Sequence, residues 1–138
     1  MVDTRRIEFE TTGDGHIVDL TGDMAGAIGA SFISSGTITA FVPGSTAGIT
    51  TIEFEPGLIQ DIPQLMERLI PSDKSYKHDE TWHDGNGFSH LRAALIGPDV
   101  TVPFSNNEMI LGTWQQVVLL DFDNRARRRT VVFQIVGE

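Results

Sequence analysis

The residues best suited to chemistry are concentrated in one stretch of the chain, residues 76–90. Three of the four histidines lie there, together with an Asp-Gly-Asn-Gly sequence at 84–87. That sequence predicts a tight turn, which would hold His78, Asp84 and His90 near one another. Imidazole and carboxylate groups in one place suit general acid–base catalysis or one divalent metal, held by His78 and His90. An Asx turn flanked by exposed histidines explains the same residues equally well.

Two familiar metal motifs do not fit this stretch. His78 and His83 are five residues apart, whereas a zincin helix needs two histidines four residues apart. In a calcium loop with Gly87 at the sixth position, Trp82 and Ala93 would occupy the first and twelfth positions, which require carboxylates.

A second candidate is the run of small residues Pro-Gly-Ser-Thr-Ala-Gly at 43–48, which follows a β-branched segment. Such residues let backbone N–H groups approach an anion, as in a nest. The run lacks the lysine of a P-loop, and a plain tight turn is the commoner interpretation. Glu53, near the end of the next predicted strand, could act as a base, although solvated charges are common at strand ends.

The third candidate is a basic cluster, Arg125 and residues 127–129, in an otherwise acidic chain. A guanidinium group offers a planar fork to phosphate oxygens, so the cluster could clamp a phosphate. Neighbouring residues of a strand face opposite sides, so Arg127 and Arg129 cannot share a face with Arg128. A solvated hairpin end with arginines paired to local acids is the alternative.

The elements that must position these residues are mostly strands. Apolar and β-branched patterns predict strands at 5–11, 16–20, 37–42, 49–54, 100–104, 108–113, 115–122 and 129–136. Helices are predicted at 21–34 and 58–70, with a helical turn at 90–96. Gly-Asp-Gly at 13–15 predicts a hairpin turn, the C-terminal third predicts a meander, and Trp114 is expected in the core. Together they predict a single α+β domain, residues 1–138, with a largely antiparallel sheet.

Composition limits the functions that the chain can have. The chain has 138 residues, a net charge of −9 and no cysteine. The absence of cysteine excludes thiol catalysis, disulfides and cysteine-ligated metals, and the negative charge argues against nucleic-acid binding. No apolar run approaches a membrane span, and no apolar signal region follows the N-terminus. We therefore expect a soluble, cytoplasmic protein with neither a nucleic acid nor a membrane as partner.

Taken in order, three segments resemble a known family. They are residues 41–53 (Phe-Val-Pro-Gly-Ser-Thr-Ala-Gly-Ile-Thr-Thr-Ile-Glu), residues 76–92 with Tyr-Lys-His, Asp-Gly-Asn-Gly and Ser-His-Leu-Arg, and residues 111–115 (Leu-Gly-Thr-Trp-Gln) with the arginine-rich end. The chain resembles the YjbQ-like family, some of whose members are described as secondary thiamine-phosphate synthases. Many members carry histidine where this chain has Gly44, and the Gly-Ser-Thr-Ala form marks a distinct subgroup.

The resemblance implies a compact α+β domain with a large mixed, barrel-like sheet, two or three helices, and a homotrimer. It also implies a histidine-lined site, at positions that correspond here to His78, Asp84, His90 and Glu53. The activity implied is a transferase reaction that joins a pyrimidine methyl diphosphate to a thiazole phosphate and releases pyrophosphate, with Mg or Zn as the divalent metal. The phosphorylated substrate would then be held by Gly44, Ser45, Thr46, Arg92 and Arg127.

Two other functions stay open at this point. One is a small-molecule or metal-binding protein without turnover, and the other is a metal-assisted hydrolase of a small metabolite. A closed ring of copies would cover apolar strands that the helices leave exposed. His90 is the residue expected to matter most, because it follows a glycine-rich turn and opens a helical segment.

Overall fold

Alternation of apolar and polar residues builds most of the chain into strands, and the computed structural model describes all residues from 1 to 138. In chain order the elements are β1 (Val2–Thr11), β2 (His16–Asp19), α1 (Thr21–Ala30), β3 (Gly36–Phe41), β4 (Ala47–Ile52), α2 (Pro56–Leu69), α3 (Lys77–Trp82), α4 (Gly87–Ile96), β5 (Asp99–Ser105), β6 (Glu108–Met109), β7 (Gln116–Asp121) and β8 (Arg127–Gly137). None of the four helices is long and apolar enough to cross a membrane.

The strands form two sheets. The larger has the order β1-β8-β3-β5-β6, and the smaller has the order β2-β7-β4. Every strand pairing is antiparallel. The α+β class with a curled antiparallel sheet is therefore confirmed, whereas the expected mixture of parallel and antiparallel strands is absent. The helices number four, more than the two or three expected.

Strand β7 is the centre of the packing because both of its faces are buried. Val117 and Leu119 face the larger core, which lies between the two sheets and under α1. Val118 and Leu120 face a second core, formed with side chains of α2 and α4. Burying a leucine stabilises the fold by about 1.5–3 kcal/mol, so this doubly buried strand fixes the register of the smaller sheet.

Two predicted hairpins are in fact connections between the sheets. The turn at residues 13–15 does not pair β1 with β2, because β1 pairs with β8 and β2 pairs with β7. The Asp-Asn turn at 123–124 likewise leads from β7 in the smaller sheet to β8 in the larger one. Turn residues alone therefore predicted where the chain reverses, but not which strands pair.

The polar stretch at 76–90 is more ordered than its sequence indicated. It contains the short helix α3 and the start of α4. Asp79 joins the two helices, because its Oδ2 accepts a hydrogen bond from the Tyr76 N–H and its Oδ1 accepts one from the Gly87 N–H, both at 2.9 Å. These two hydrogen bonds lower the pKa of Asp79. Trp114, expected in the core, is 72% exposed.

Candidate functional site

A cleft of about 340 Å³ opens where the chain crosses repeatedly from one sheet to the other. The connection from β3 to β4, residues 43–46, lies beside the connection from β7 to β8, and the Phe122 N–H donates to the Thr46 carbonyl at 3.0 Å. The turn at 13–15 lies at the same end, because the Asp14 N–H donates to the Asp123 carbonyl at 2.7 Å. The cleft is lined by residues 42–46, by the start of β8, and by Asn86 and His90.

Arg129, which lines the cleft, forms a buried ion pair with Asp121 behind it. Arg129 Nε donates to Asp121 Oδ2 at 2.7 Å, and Arg129 Nη2 donates to Oδ1 at 2.8 Å. Asp121 is fully buried and Arg129 is 5% exposed. Burial alone would raise the pKa of Asp121, but hydrogen bonds from Arg129, Thr11 and the Asp123 N–H outweigh it, so the pKa lies below its usual range.

A second buried carboxylate, Asp123, holds the neighbouring donors. Arg127 Nη1 donates to its Oδ2 at 2.7 Å, and the hydroxyl of Thr46 donates to the same oxygen at 3.0 Å. The Thr46 hydroxyl also accepts a hydrogen bond from Arg129 Nη2 at 2.8 Å. Thr46 therefore connects the two ion pairs and fixes the loop at 43–46 against β8.

Several N–H groups at this wall have no partner within the chain. Arg129 uses Nε and Nη2, but its Nη1 donates to nothing, and Arg127 leaves Nε and Nη2 unused. The backbone N–H groups of Ser45 and Thr46 also donate to nothing. A set of guanidinium and backbone donors around one cleft suits the oxygens of a tetrahedral anion.

His90 also lines the cleft and is placed there by α4. This helix packs closely on β4 because Gly48 has no side chain, and a Cβ at Gly48 would lie 2.8 Å from Ile96 Cγ2. Burial lowers the pKa of His90, and His78 lowers it further, against a smaller opposite effect of Asp123 and Asp84. His90 is therefore held neutral at pH 7, so its ring offers one donor and one acceptor nitrogen.

His78, the histidine next to His90, has different neighbours and could hold a metal. The rings of His78 and His90 are in contact, with centroids 4.2 Å apart and planes tilted by 40°. The group whose ligand atoms lie within 4.8 Å of one another is His78, Asp79 and Asp84, without His90. His78 Nδ1 is buried without a hydrogen-bond partner and lies 3.8 Å from Asp84 Oδ1. Both oxygens of Asp79 already accept a backbone hydrogen bond, so His78 and Asp84 are the members of this group whose ligand atoms have no hydrogen bond.

Most of the expected site residues come together, and two do not. Gly44, Ser45, Thr46, Arg127 and His90 all line the cleft. His78 and Asp84 lie beside it, in contact with each other.

Arg92 does not line the cleft, and its Nε and Nη2 donate to the Ile70 carbonyl and to Glu67. Glu53 is also remote from the cleft. It follows the end of β4 at Ile52, which pairs with Gln116, whereas Ala47 at the cleft end pairs with Asp121. The structure therefore does not bring Arg92 or Glu53 to the cleft, and the expected roles of Arg92 in binding phosphate and of Glu53 in catalysis stay predictions.

Two carboxylates that organise the cleft were not expected from the sequence. Asp121 and Asp123 follow the apolar run 117–120, and their spacing by two matches that of Arg127 and Arg129 on the next strand. Acids at the end of a buried strand, followed by arginines at the same spacing, are the signal that could have found them. Asn86 was also missed; it is 8% exposed, and its Oδ1 has no partner.

Comparison with known protein sequences finds one family. The family described as UPF0047 protein YjbQ-like matches residues 5–138. The UPF0047 protein Rv2556c of Mycobacterium tuberculosis is 36% identical over 135 residues, covering 98% of each chain. A UPF0047 protein of Archaeoglobus fulgidus is 36% identical over 126 residues, covering 91% of this chain and 96% of its own.

Solved structures agree in fold. The crystal structure of hypothetical protein APE1520 from Aeropyrum pernix K1 has a TM-score of 0.91 at 28% identity, and the match covers 99% of both chains. An uncharacterised conserved protein of the YjbQ/UPF0047 family from Clostridium acetobutylicum has a TM-score of 0.87 at 32% identity, covering 96% of this chain and 99% of its own.

These relatives overturn the expected activity. The curated proteins are described only as UPF0047 proteins, and a structure from Sulfolobus solfataricus with a TM-score of 0.89 is described as a protein of unknown function. Nothing in the family description supports thiamine-phosphate synthesis or another transferase reaction. The expectation of a thiamine-phosphate synthase is therefore wrong.

Proposed function

Since this chain belongs to the YjbQ-like UPF0047 family, we propose a function from the geometry of its cleft, namely that the cleft binds the phosphate group of a small phosphorylated molecule. The observation that carries the proposal is Arg129, a buried arginine with one guanidinium nitrogen, Nη1, left without a partner at the wall of the cleft. This nitrogen is reachable from the cleft, so an anion bound there would accept a charge-assisted hydrogen bond from a guanidinium group that is already held in place.

The direction of the donors matters more than the net charge of the site. Arg127 and Arg129 are matched by Asp123 and Asp121, so the formal charge of these four groups is zero. The carboxylates hold the two guanidinium groups in place, and the unused N–H groups of both arginines line the cleft. Preorganised donors bind a phosphate without first paying the entropy of ordering flexible side chains.

The two polar groups on the α4 side complete the site. His90, neutral at pH 7, can accept a hydrogen bond from a protonated phosphate or from a hydroxyl group of the ligand. Asn86 Oδ1, buried without a partner, can accept a second hydrogen bond. Acceptors and donors around one cleft suit a molecule that carries both phosphate oxygens and a hydroxyl group.

Calorimetric titration with inorganic phosphate tests this function. The wild-type chain should bind phosphate saturably, and Arg127→Gln should weaken binding about tenfold or more, because a hydrogen bond to a charged group contributes about 1.5–3 kcal/mol. The matched control is Arg6→Gln, which removes the same charge from an exposed position on β1. Equal losses in both variants, or no binding by the wild type, would contradict the proposal.

A divalent cation is a second candidate ligand, supported by the buried, unpartnered His78 Nδ1. His78 and Asp84 would supply its two protein ligands, and water would fill the remaining positions. Calorimetric titration with Zn²⁺ or Mg²⁺ tests it, with His78→Asn expected to abolish binding. His16→Asn, on β2, is the control; a similar loss in both variants would contradict a site at His78.

A further inference from the structure

A second cavity, of about 270 Å³, adjoins the cleft. The cleft and this cavity share three wall residues, Gly44, Ser45 and His90. The remaining walls come from the start of β4, from the last turns of α4 and from the residues that follow it: Ala47, Ala93, Ala94, Gly97 and Pro98. The two cavities are thus adjacent compartments on either side of the same short loop.

The second cavity differs from the cleft in chemistry. None of the five residues that belong to it alone has a polar side chain. Two of its backbone acceptors are also occupied, because the Gly97 carbonyl accepts a hydrogen bond from the Ile49 N–H at 3.0 Å and the Pro98 carbonyl accepts one from the Val42 N–H at 2.9 Å. With no polar side chain of its own, this compartment suits an apolar group.

Gly44 lies at the boundary between the two compartments. A Cβ at this position would lie 3.1 Å from Arg129 Nη1, closer than most real Cβ contacts. A larger side chain would therefore stand against the unused donor of Arg129 and between the two cavities. Glycine leaves that donor uncovered in the cleft, and one molecule can reach the arginines while extending past Ser45 into the apolar compartment.

We infer that the two cavities form one binding site for a phosphate monoester whose alcohol part is a compact apolar group, of the size of an aromatic ring. The phosphate lies against Arg127 and Arg129, and the apolar group lies between Ala47 and Ala94. His90 borders both compartments and faces the ester oxygen that joins the two parts. This inference rests on the proposed phosphate binding and adds the class of ligand.

Calorimetry with three probes at pH 8 tests the inference: inorganic phosphate, methyl phosphate and phenyl phosphate. Both esters are dianions at this pH, so they differ mainly in the apolar group. Burying a phenyl ring removes enough apolar surface from water that phenyl phosphate should bind about tenfold more tightly than methyl phosphate, or better. Ala94→Leu, an exposed position on α4, should fill the apolar compartment and remove the preference for phenyl phosphate over methyl phosphate.

The matched control is Ala25→Leu, the same change at an exposed position of α1 that lines neither cavity. It should keep the wild-type preference for phenyl phosphate. Equal affinity for the two esters in the wild type, with phosphate still bound, overturns the inference and leaves the proposed function standing. Absence of binding by all three probes overturns both. A preference that survives Ala94→Leu shows that the apolar group binds elsewhere, which also overturns the inference.

Discussion

Arg129 binds Asp121 through two of its three guanidinium nitrogens, at 2.7 and 2.8 Å, and leaves the third free at the wall of the cleft. The pair joins the ends of two strands that belong to different sheets, because Asp121 ends β7 and Arg129 lies near the start of β8. One contact therefore closes the gap between the sheets and orients a donor toward a ligand.

Breaking this pair should destabilise the fold. In Asp121→Asn the buried Arg129 loses its counter-charge, and removing one partner of a buried pair costs about 3–5 kcal/mol. Urea unfolding followed by circular dichroism measures the change. Asp99→Asn, at an exposed position on β5, is the control and should change stability by about 0.5 kcal/mol or less. A loss below about 1 kcal/mol in Asp121→Asn would show that the pair is not a structural element.

The ion pair between Asp121 and Arg129 should make the stability of the fold depend on pH in the acid range. The pKa of Asp121 is lowered in the folded state, so the unfolded chain takes up a proton more readily as the pH falls. The contribution of the pair is therefore fully present above about pH 4 and is lost as the pH falls through the lowered pKa. The stability difference between the wild type and Asp121→Asn should shrink over this range. A difference that stays constant down to about pH 2 would contradict the assignment.

His90 should titrate below the ordinary histidine range of about 6.5. Burial and the neighbouring His78 both lower its pKa, so the folded state resists protonation and loses stability as the pH falls below about 6.5. Proton NMR of the ring resonances measures the midpoint. His78→Asn should raise it, because one of the lowering groups is removed. A wild-type midpoint above about 6.5 would contradict the environment described for His90.

Binding of sulfate should be coupled to protonation of the His90 ring. Sulfate remains a dianion from pH 6 to pH 8, so any pH dependence comes from the protein. A bound dianion beside His90 favours its charged form, and affinity for sulfate should therefore rise as the pH falls over this range. His90→Gln should bind with little pH dependence. Persistence of the full pH dependence in this variant would exclude His90 as its source.

Substitution by alanine at two different glycines should change the stability of the fold in opposite directions. Gly48→Ala places a Cβ 2.8 Å from Ile96 Cγ2 and 2.9 Å from the Gly97 carbonyl oxygen, so α4 must shift away from β4 and carry His90 with it. We expect a loss of about 1–3 kcal/mol. Gly26→Ala, in α1, meets nothing within 4 Å and should stabilise the helix by about 0.5–1 kcal/mol. Thermal unfolding compares them; the same sign for both would contradict the packing of α4 on β4.

The sequence predicted local structure better than it predicted pairing. The strand at 115–122 was recognisable because an apolar run such as 117–120 fits a strand buried on both faces. The partners of β1 and β2 were not recognisable, because a Gly-Asp-Gly turn specifies a reversal and carries no information about which sheet the chain enters next. Helix α3 was missed because its stabilising contact, Asp79 to the Gly87 N–H, is made to another helix.

The site was predicted where its residues lie in glycine-rich turns, and missed where it depends on tertiary contacts. Residues 44–46 and His90 were found from their type and spacing. Asp121 lies near the end of the predicted strand 115–122, and Asp123 lies just beyond it. Their role depends on contacts that form only when β8 packs beside the end of β7. The homotrimer stays a prediction; exposed apolar side chains such as Phe32 (95%), Trp114 (72%) and Ile110 (63%) are candidates for burial between subunits.

The most direct test of the account is a crystal structure of the chain with selenate, a tetrahedral dianion that anomalous scattering locates without ambiguity. We expect one strong selenium peak in the cleft, with an oxygen within hydrogen-bond distance, about 2.7–3.2 Å, of Arg129 Nη1. Further oxygens should lie near Arg127 and the N–H groups of Ser45 and Thr46. Arg127→Gln crystals under the same conditions should show a weaker peak. A cleft without selenium, or selenium bound only at exposed arginines outside the cleft such as Arg6, would contradict the central claim.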